Sequence, residues 1–297
     1  METQTVSQNA TPGSQGFDRS SLDSRIQAAR AALEHCELCE RRCGANRLAG
    51  EPTPCRLDSH TYCAKRYVSL AEELELVPAL RVYWGGCNFR CEFCNTAPGG
   101  FEPRLGERVA ADKFALELHA AVATGVKTIN LLGGEPSLHP HTILEVAAAA
   151  ARPLPLVLST NAYMTAEVLE LFKGVVDMYS VDFKFGNDRC ARHLAQVPCY
   201  MKVVTRNLAF LSEYAALRVC HLLLPGHLDC CFRPVVEWLS AWLPESRFHL
   251  LTSYVPAWRA ESDREIGRLN RQGEVCAAVD YLESRRLDWS VDADGDR

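Results

Sequence analysis

The strongest constraint on the fold of this 297-residue chain is a regular alternation of short apolar segments with amphipathic stretches. Each apolar segment is rich in Val, Ile, Leu or aromatic residues and is bounded by Gly, Pro or polar residues, as buried parallel strands are. The six segments cover residues 79–85, 127–134, 154–160, 176–183, 217–224 and 247–253.

Several of the intervening stretches have helical periodicity. Phe114 and Leu118 share one face of the first, and Thr165 is suited to the N-cap of the second. The predicted helices cover residues 112–124, 165–174, 201–214 and 234–242. Successive β–α units predict an α/β fold with a parallel sheet and right-handed crossovers. Six strands are too few for a full eight-stranded barrel, so we expect a partial (β/α)6 barrel with its chemistry at the C-terminal strand ends.

The composition also suggests a division of the chain. Residues 1–20 are polar and should form a disordered tail, and residues 21–75 form a cysteine-rich N-terminal region. The partial barrel should occupy residues 76–260, and residues 261–297 should form a C-terminal helix and tail.

Composition and charge narrow the class of protein. With 47% apolar and 23% charged residues the chain is typical of globular proteins, and a net charge of −5 gives no general attraction to nucleic acid. The polar N-terminus lacks a secretory signal, and the longest apolar run, 146–151, is too short to span a membrane. We therefore expect a cytoplasmic protein whose 14 cysteines are metal ligands, redox groups or buried side chains.

Three cysteines follow the first predicted strand directly. Cys87, Cys91 and Cys94 have the spacing C-x3-C-x2-C and should lie on one loop at the barrel mouth. Thiolates select soft metals such as zinc or iron–sulfur clusters, and a [4Fe–4S] cluster held by three thiolates leaves one iron open. The spacing alone also allows a zinc site completed from elsewhere, or three buried cysteines.

The second predicted strand ends in the sequence GGEP, formed by Gly133, Gly134, Glu135 and Pro136. Glycines let a ligand approach the backbone closely, and a carboxylate can accept hydrogen bonds from an ammonium group. Alone, the segment could be an ordinary strand-to-helix turn. Beside the three cysteines on the adjacent strand, it favours a ligand-binding edge.

The pattern C-x3-C-x-Phe-C, which includes Phe93, together with GGEP resembles the radical S-adenosylmethionine (SAM) enzymes. The resemblance implies that the open iron binds the amino and carboxylate groups of SAM, and that Phe93 and the GGEP residues contact this cofactor. It also implies that the reduced cluster cleaves SAM to methionine and a 5′-deoxyadenosyl radical, which abstracts a hydrogen atom from a substrate. Such chemistry needs a low-potential electron donor, such as flavodoxin or ferredoxin.

Within that superfamily, residues 36–260 resemble homologues of the glycyl-radical-enzyme activases. The resemblance implies that Ser159 and Asn161 contact the ribose side of SAM, and that Asp182 and Lys184 contact its methionine end. Lys184 could pair with the SAM carboxylate while Asp182 orients it, although a surface ion pair would look the same. Activases usually carry an acid where this chain has Ser159.

Further cysteines precede and follow these motifs. Cys36, Cys39, Cys43 and Cys55 have the spacing C-x2-C-x3-C-x11-C, which indicates either a zinc site or a second iron–sulfur cluster. The C-terminal cysteines lack any ligand spacing, so we expect buried or inert thiols; ligation by the Cys230–Cys231 pair is the less favoured alternative. These are Cys190, Cys199, Cys220, Cys230, Cys231 and Cys276.

The favoured function is therefore that of a radical SAM oxidoreductase acting on a glycyl residue of a partner enzyme. One alternative is radical modification of a peptide or small molecule with an auxiliary cluster. Another is a non-enzymatic zinc or iron–sulfur interaction module that binds nucleic acid through Arg41, Arg42 and Arg47. Neighbouring glutamates make those arginines only a weak basic patch, so nucleic-acid binding is disfavoured, and no membrane partner is expected.

Overall fold

The computed structural model describes residues 19–70, 76–151 and 154–292. The predicted disordered tail at 1–20 lies outside the described residues, except for the last two, whose backbone begins the first helix.

The described strands form one sheet. Their bounds are β1 Tyr62–Ser69, β2 Ala79–Trp84, β3 Glu107–Arg108, β4 Thr128–Gly133, β5 Leu156–Thr160, β6 Met178–Asp182, β7 Ala216–Leu222, β8 Arg247–Leu251 and β9 Asp288–Val291. The strand order is β3-β1-β2-β4-β5-β6-β7-β8-β9. From β2 through β4 to β9 all neighbours are parallel, whereas β1 and β3 pair antiparallel at one edge.

The predicted α/β fold is confirmed. All six predicted segments are parallel strands, namely β2 and β4 to β8, and β9 adds a seventh parallel strand beside β8. Strand β4 shows why these segments are continuously apolar rather than alternating. Its residues Thr128 to Leu132 are all buried, because helices cover one face of the sheet and barrel-lining side chains cover the other.

Helices follow most of the parallel strands. Their bounds are α1 Arg19–Ala31, α2 Ala111–Ala123, α3 Pro140–Ala149, α4 Ala166–Phe172, α5 Asp188–Ala195, α6 Tyr200–Ser212, α7 Arg233–Trp242 and α8 Gln272–Glu283. Phe114 and Leu118 of α2 are buried as predicted, and Thr165 occupies the N-cap of α4. Among the described residues, no helix is both long and apolar enough to cross a membrane.

The N-terminal cysteine region, residues 36–63, packs against the segment that follows β5. The backbone of Glu40 donates to the Tyr163 carbonyl at 3.2 Å, and that of Thr165 donates to the Leu38 carbonyl at 3.3 Å. Between them, Cys39 pairs with Met164 in an isolated antiparallel bridge. This region therefore lies at the C-terminal edge of the parallel strands.

Candidate active site

The predicted site residues come together at the C-terminal edge of four neighbouring strands. The cluster loop, residues 85–96, follows β2, and the GGEP turn, residues 133–136, ends β4. Backbone hydrogen bonds from Gly134 to Trp84 at 2.7 Å and from Glu135 to Gly86 at 2.8 Å join the two segments. The two predicted motifs thus form one backbone unit.

Gly134 is required by this close approach. A Cβ atom at that position would lie 2.1 Å from the carbonyl oxygen of Gly86, far inside any real contact. Gly133 has a φ of +113°, a conformation that other residues rarely adopt. The neighbouring backbone therefore demands both glycines, independently of the predicted approach of a ligand.

The three thiols of the cluster loop differ in environment. Cys87 and Cys91 are buried, whereas Cys94 is partly exposed. The Phe89 backbone N–H donates to the Cys87 sulfur at 3.3 Å, and such a bond favours the thiolate. Burial raises the pKa of the Cys91 thiol to about 12, and the positive charge of Lys184 opposes that shift. Ligation therefore requires a metal to displace the Cys91 proton.

Glu135 of the GGEP turn is buried, and both of its carboxylate oxygens accept hydrogen bonds. Its Oε1 accepts from the Thr160 hydroxyl at 2.7 Å and the Ser137 N–H at 3.0 Å, and its Oε2 accepts from the Asn161 N–H at 2.8 Å. Burial raises the pKa of this carboxyl group. Glu135 thus holds the ends of β4 and β5 together, and its contact with the SAM ammonium remains a prediction.

Pro136 and Phe93 also occupy buried positions. Pro136 begins a short 3-10 turn, Pro136–Leu138, directly after Glu135. Phe93 packs edge-on against Phe185, with ring centroids 6.2 Å apart. Both contribute to packing beneath the site, and their predicted cofactor contacts remain predictions.

At the end of β5, Ser159 and Asn161 face different partners. The Ser159 hydroxyl donates to the Asn130 side chain at 2.9 Å. The Asn161 amide donates to the Asn88 side-chain oxygen at 2.8 Å, which links β5 to the cluster loop. The Asn88 amide nitrogen has no hydrogen-bond partner of standard geometry, and it faces the Cys39 sulfur, whose thiolate form it favours.

Asp182 and Lys184 form an ion pair at the end of β6, with 2.6 Å between Nζ and Oδ2. Burial disfavours the charge on Lys184, but the negative charge of Asp182 outweighs burial and raises the pKa of Lys184. Lys184 is therefore a fixed positive charge near the cluster loop. This suits it to pair with a carboxylate.

His139 belongs to the site although nothing in the sequence singled it out. Its Nε2 lies 3.0 Å from the Gly85 carbonyl oxygen, and its Nδ1 lies 2.9 Å from the Thr61 hydroxyl. Burial holds the pKa of this imidazole well below its usual range, so the ring is neutral. Donation from Nε2 fixes the first residue of the cluster loop.

The N-terminal cysteine region contacts the cluster loop. The Cys39 sulfur lies beside the Asn88 side chain, and Arg41 donates to the backbone carbonyls of Asn88 and Gln196. The cysteines at 36, 39 and 55 are buried, and Cys43 is exposed. These four thiols do not form a compact single-ion group; in the described ranges, such a group consists of Cys190, His227 and Cys230.

The arginines of the predicted weak basic patch form ion pairs and hydrogen bonds within the protein. Arg42 pairs with Glu37 at 2.9 Å and with Glu40 at 3.0 Å. Arg47 is fully buried and donates to two backbone carbonyls at 2.9 Å each. With Arg41 also engaged, this region offers little free positive charge to a nucleic acid.

The site fits the groups that the motifs imply. One loop supplies three thiols, the adjacent turn brings glycine backbone within its reach, and a fixed positive charge lies beside it. Three thiolates, an exposed backbone and a cation form a donor set suited to a cluster with one open iron and to an amino-acid-bearing ligand.

Comparison with known proteins agrees with this site. The model of the radical SAM superfamily matches residues 82–239, a span that contains the cluster loop, the GGEP turn and the Asp182–Lys184 pair. That span covers more than half of the chain.

Related sequences carry different names. An uncharacterised protein of Methanocaldococcus jannaschii is 30% identical over 285 residues, which cover 91% of this chain and 81% of that protein. A GTP 3′,8-cyclase of Edwardsiella ictaluri is 26% identical, over 54% of this chain and about half (51%) of the cyclase. A second M. jannaschii protein, named for glycyl-radical enzyme activation, is 23% identical over 64% of this chain and 70% of that protein.

Among solved structures, Streptococcus suis SuiB bound to the precursor peptide SuiA superposes with a TM-score of 0.56. The match covers 71% of this chain and 47% of SuiB at 14% identity, so it shows the fold alone. Because the family model spans the strands that carry the three-cysteine loop and the GGEP turn, this chain belongs to the radical SAM superfamily, and its cofactors are a [4Fe–4S] cluster and SAM.

Proposed function

We propose that this protein is a radical SAM enzyme that abstracts a hydrogen atom from a glycyl residue of a partner enzyme. The observation that carries the radical chemistry is the backbone pairing of the cluster loop with the GGEP turn, at 2.7 and 2.8 Å. This pairing sets three thiols and a ligand-accessible backbone side by side.

Residues of this chain would divide the binding work. Cys87, Cys91 and Cys94 would hold the cluster, which with bound SAM supplies a one-electron cleavage to methionine and a 5′-deoxyadenosyl radical. Lys184, oriented by Asp182, would neutralise the SAM carboxylate. Ser159 and Asn161 would bind the ribose side, and burial of the site would keep water from the reactive species.

A reducing partner is needed, as in radical SAM enzymes generally. We propose flavodoxin or ferredoxin for this role, and the cytoplasm as the compartment, because thiols and clusters persist there.

The glycyl substrate is supported by the activase-like motifs and by the relative named for glycyl-radical enzyme activation. A second candidate is modification of a small molecule or peptide. It is supported by the GTP 3′,8-cyclase relative, and the thiols of the N-terminal cysteine region could hold an auxiliary cluster in such an enzyme.

The first test is product formation under anaerobic conditions. Protein reconstituted with iron and sulfide, then given SAM and dithionite, should form 5′-deoxyadenosine, which mass spectrometry detects. The Cys87/Cys91/Cys94→Ala variant should form none, whereas Cys276→Ser, at an exposed position on α8, should match the wild type. A cluster-loaded wild type without this product would refute the radical chemistry.

The second test concerns the substrate. The active protein is mixed with a glycyl-radical enzyme from the same organism, and electron paramagnetic resonance is used to look for a glycyl radical. A signal that is lost when the partner's radical-forming glycine is replaced by alanine supports the proposal. 5′-Deoxyadenosine formation without any such radical would favour the peptide or small-molecule alternative.

A further inference from the structure

A second group of metal-ligating side chains lies beside the site but outside its proposed machinery. The ligand atoms of Cys190, His227 and Cys230 all lie within 4.8 Å of one another. Cys190 lies in the first turn of α5, after β6, while His227 and Cys230 follow β7. Cys190 and His227 are buried, and Cys230 is half-buried.

The distance between the two sulfurs is compatible with one kind of metal group and not with others. The Cys190 and Cys230 sulfurs are 3.8 Å apart. A tetrahedral ion with Zn–S bonds of about 2.3 Å places two thiolates about 3.8 Å apart. A disulfide would need a separation of about 2.05 Å. A [4Fe–4S] cluster would distribute the thiolates over separate irons and hold them farther apart. The spacing therefore matches a single ion.

His227 completes the group of three. Its Nδ1 lies 2.9 Å from the Pro225 carbonyl oxygen, which can only accept a hydrogen bond. A proton on Nδ1 leaves the lone pair on Nε2, the arrangement that zinc-binding histidines commonly adopt. The Cys231 sulfur lies 3.9 Å from that of Cys230 but outside this compact group of three.

Hydrogen bonds and close backbone packing hold the segment that carries Cys190 against the segment that carries Cys230. The Asn187 amide nitrogen donates to the Cys190 sulfur at 3.3 Å and to the Cys230 carbonyl at 2.6 Å, while its Oδ1 caps α5. A Cβ at Gly186 would lie 2.5 Å from the Cys231 carbonyl oxygen. The cysteine pair lies in a five-residue π-helix, Leu228–Phe232, a form that is frequent at functional sites.

We propose that Cys190, His227 and Cys230 bind a zinc ion. These three protein ligands leave the fourth position of a tetrahedral zinc ion to water or another small donor. The ion would fix the loop after β6 to the loop after β7. Through α5 it would also support the active site, because Leu194 and Ala195 at the other end of that helix accept backbone hydrogen bonds from the cluster loop at 2.8 and 3.0 Å.

The first experiment counts metals in anaerobically purified, full-length protein by mass spectrometry. The Cys190→Ser/Cys230→Ser variant should contain one zinc per chain less than the wild type. The Cys199→Ser/Cys276→Ser control, at exposed positions, should keep the wild-type content. The difference isolates this site even if the N-terminal cysteine region also binds zinc. Equal zinc in the folded double variant and the wild type would overturn the proposal.

A second experiment does not depend on the double variant folding. Zinc-edge X-ray absorption on wild type and on the His227→Cys variant reports the ligands directly. We expect the variant to retain its zinc and to exchange one nitrogen ligand for sulfur. An unchanged ligand set, or a wild type that contains a Cys190–Cys230 disulfide and no zinc, would overturn the proposal. Neither result depends on SAM cleavage, so failure here is distinguishable from failure of the proposed function.

Discussion

At the residue scale, the active site depends on positions where even a methyl group does not fit. At Gly134 an added Cβ would meet the backbone oxygen of Gly86, which no side-chain rotation can relieve. A Gly134→Ala variant should therefore separate the GGEP turn from the cluster loop. We expect a lower iron content, and a free energy of unfolding reduced by roughly 1–3 kcal/mol, which lowers the melting temperature.

The matched control is Gly273→Ala in α8, where an added Cβ meets nothing within 4 Å. Alanine is favoured over glycine in helices, so this variant should be neutral or slightly more stable. Thermal unfolding and iron analysis of both variants compare the two positions. Equal behaviour would show that the close approach at Gly134 is unimportant.

Lys184 carries a second prediction at this scale. Its charge is held by Asp182 at 2.6 Å, and removal of the charge by Lys184→Gln should weaken SAM binding about tenfold, or roughly 1.4 kcal/mol. Lys173→Gln, at an exposed position after α4, should leave the affinity unchanged. Calorimetric titration of SAM into the cluster-loaded proteins measures the difference, and equal affinities would remove Lys184 from the binding site.

Sequence patterns predicted some of these residues and not others. The three cysteines and GGEP are each a short motif within a few consecutive residues, and their order on successive predicted strands indicated their joint chemistry. Asn88 and His139 are single residues without a spacing pattern, and only the fold shows that Asn88 bonds to Asn161 and that His139 bonds to the cluster loop. Cys190 and Cys230 are 40 positions apart, and only the packing of neighbouring strand ends brings their sulfurs together.

At the scale of elements, helix α8 fixes the turn that precedes the proposed zinc site. Glu274 accepts from the Gly226 N–H at 2.9 Å and from the Arg271 N–H at 2.8 Å, and it pairs with Arg268 at 2.6 Å. The Arg268 guanidinium, helped by these backbone donors, lowers the pKa of Glu274 to about 2.

Because this pKa lies below its ordinary value of about 4.3, the ionised carboxylate stabilises the folded state, fully so above that ordinary value. The stabilisation should be lost as the pH falls toward 2. We expect Glu274→Gln to lower the free energy of unfolding by about 1–2 kcal/mol at pH 7, with the gap to wild type shrinking below pH ~4. Glu283→Gln, exposed on the same helix, is the control for urea unfolding across this range. A gap independent of pH would contradict this account.

The burial pattern also explains which strands and helices could be predicted from the sequence and which could not. The six parallel strands were predictable because burial on both faces leaves a continuous apolar run. Helix α3 was not, because seven of its ten residues are buried and it has little amphipathic pattern. Strand β9 was missed for the opposite reason, since three of its four residues are exposed and it offers no apolar signal.

At the scale of the whole molecule, we predict that the metal held by the cluster loop and any metal held by the N-terminal cysteines can be removed independently. The Cys87/Cys91/Cys94→Ala variant, reconstituted without oxygen, should contain about four irons per chain less than the wild type. Replacement of Cys36, Cys39, Cys43 and Cys55 should remove whatever metal these thiols hold and leave the four irons of the cluster loop in place. Iron, sulfide and zinc analysis of both variants tests this, and loss of the same four irons from the N-terminal variant would show a single shared site.

The partnership of β1 with β2 limits how this protein can be shortened. Strand β1 pairs with the outer edge of β2 through six residue pairs. Arg41 donates hydrogen bonds to two backbone carbonyls, those of Asn88 in the cluster loop and of Gln196. A fragment beginning at residue 76 would lose both and expose a row of unpaired amides and carbonyls, the kind of edge on which sheets aggregate. We therefore do not expect the fragment that begins at residue 76 to remain folded and soluble on its own.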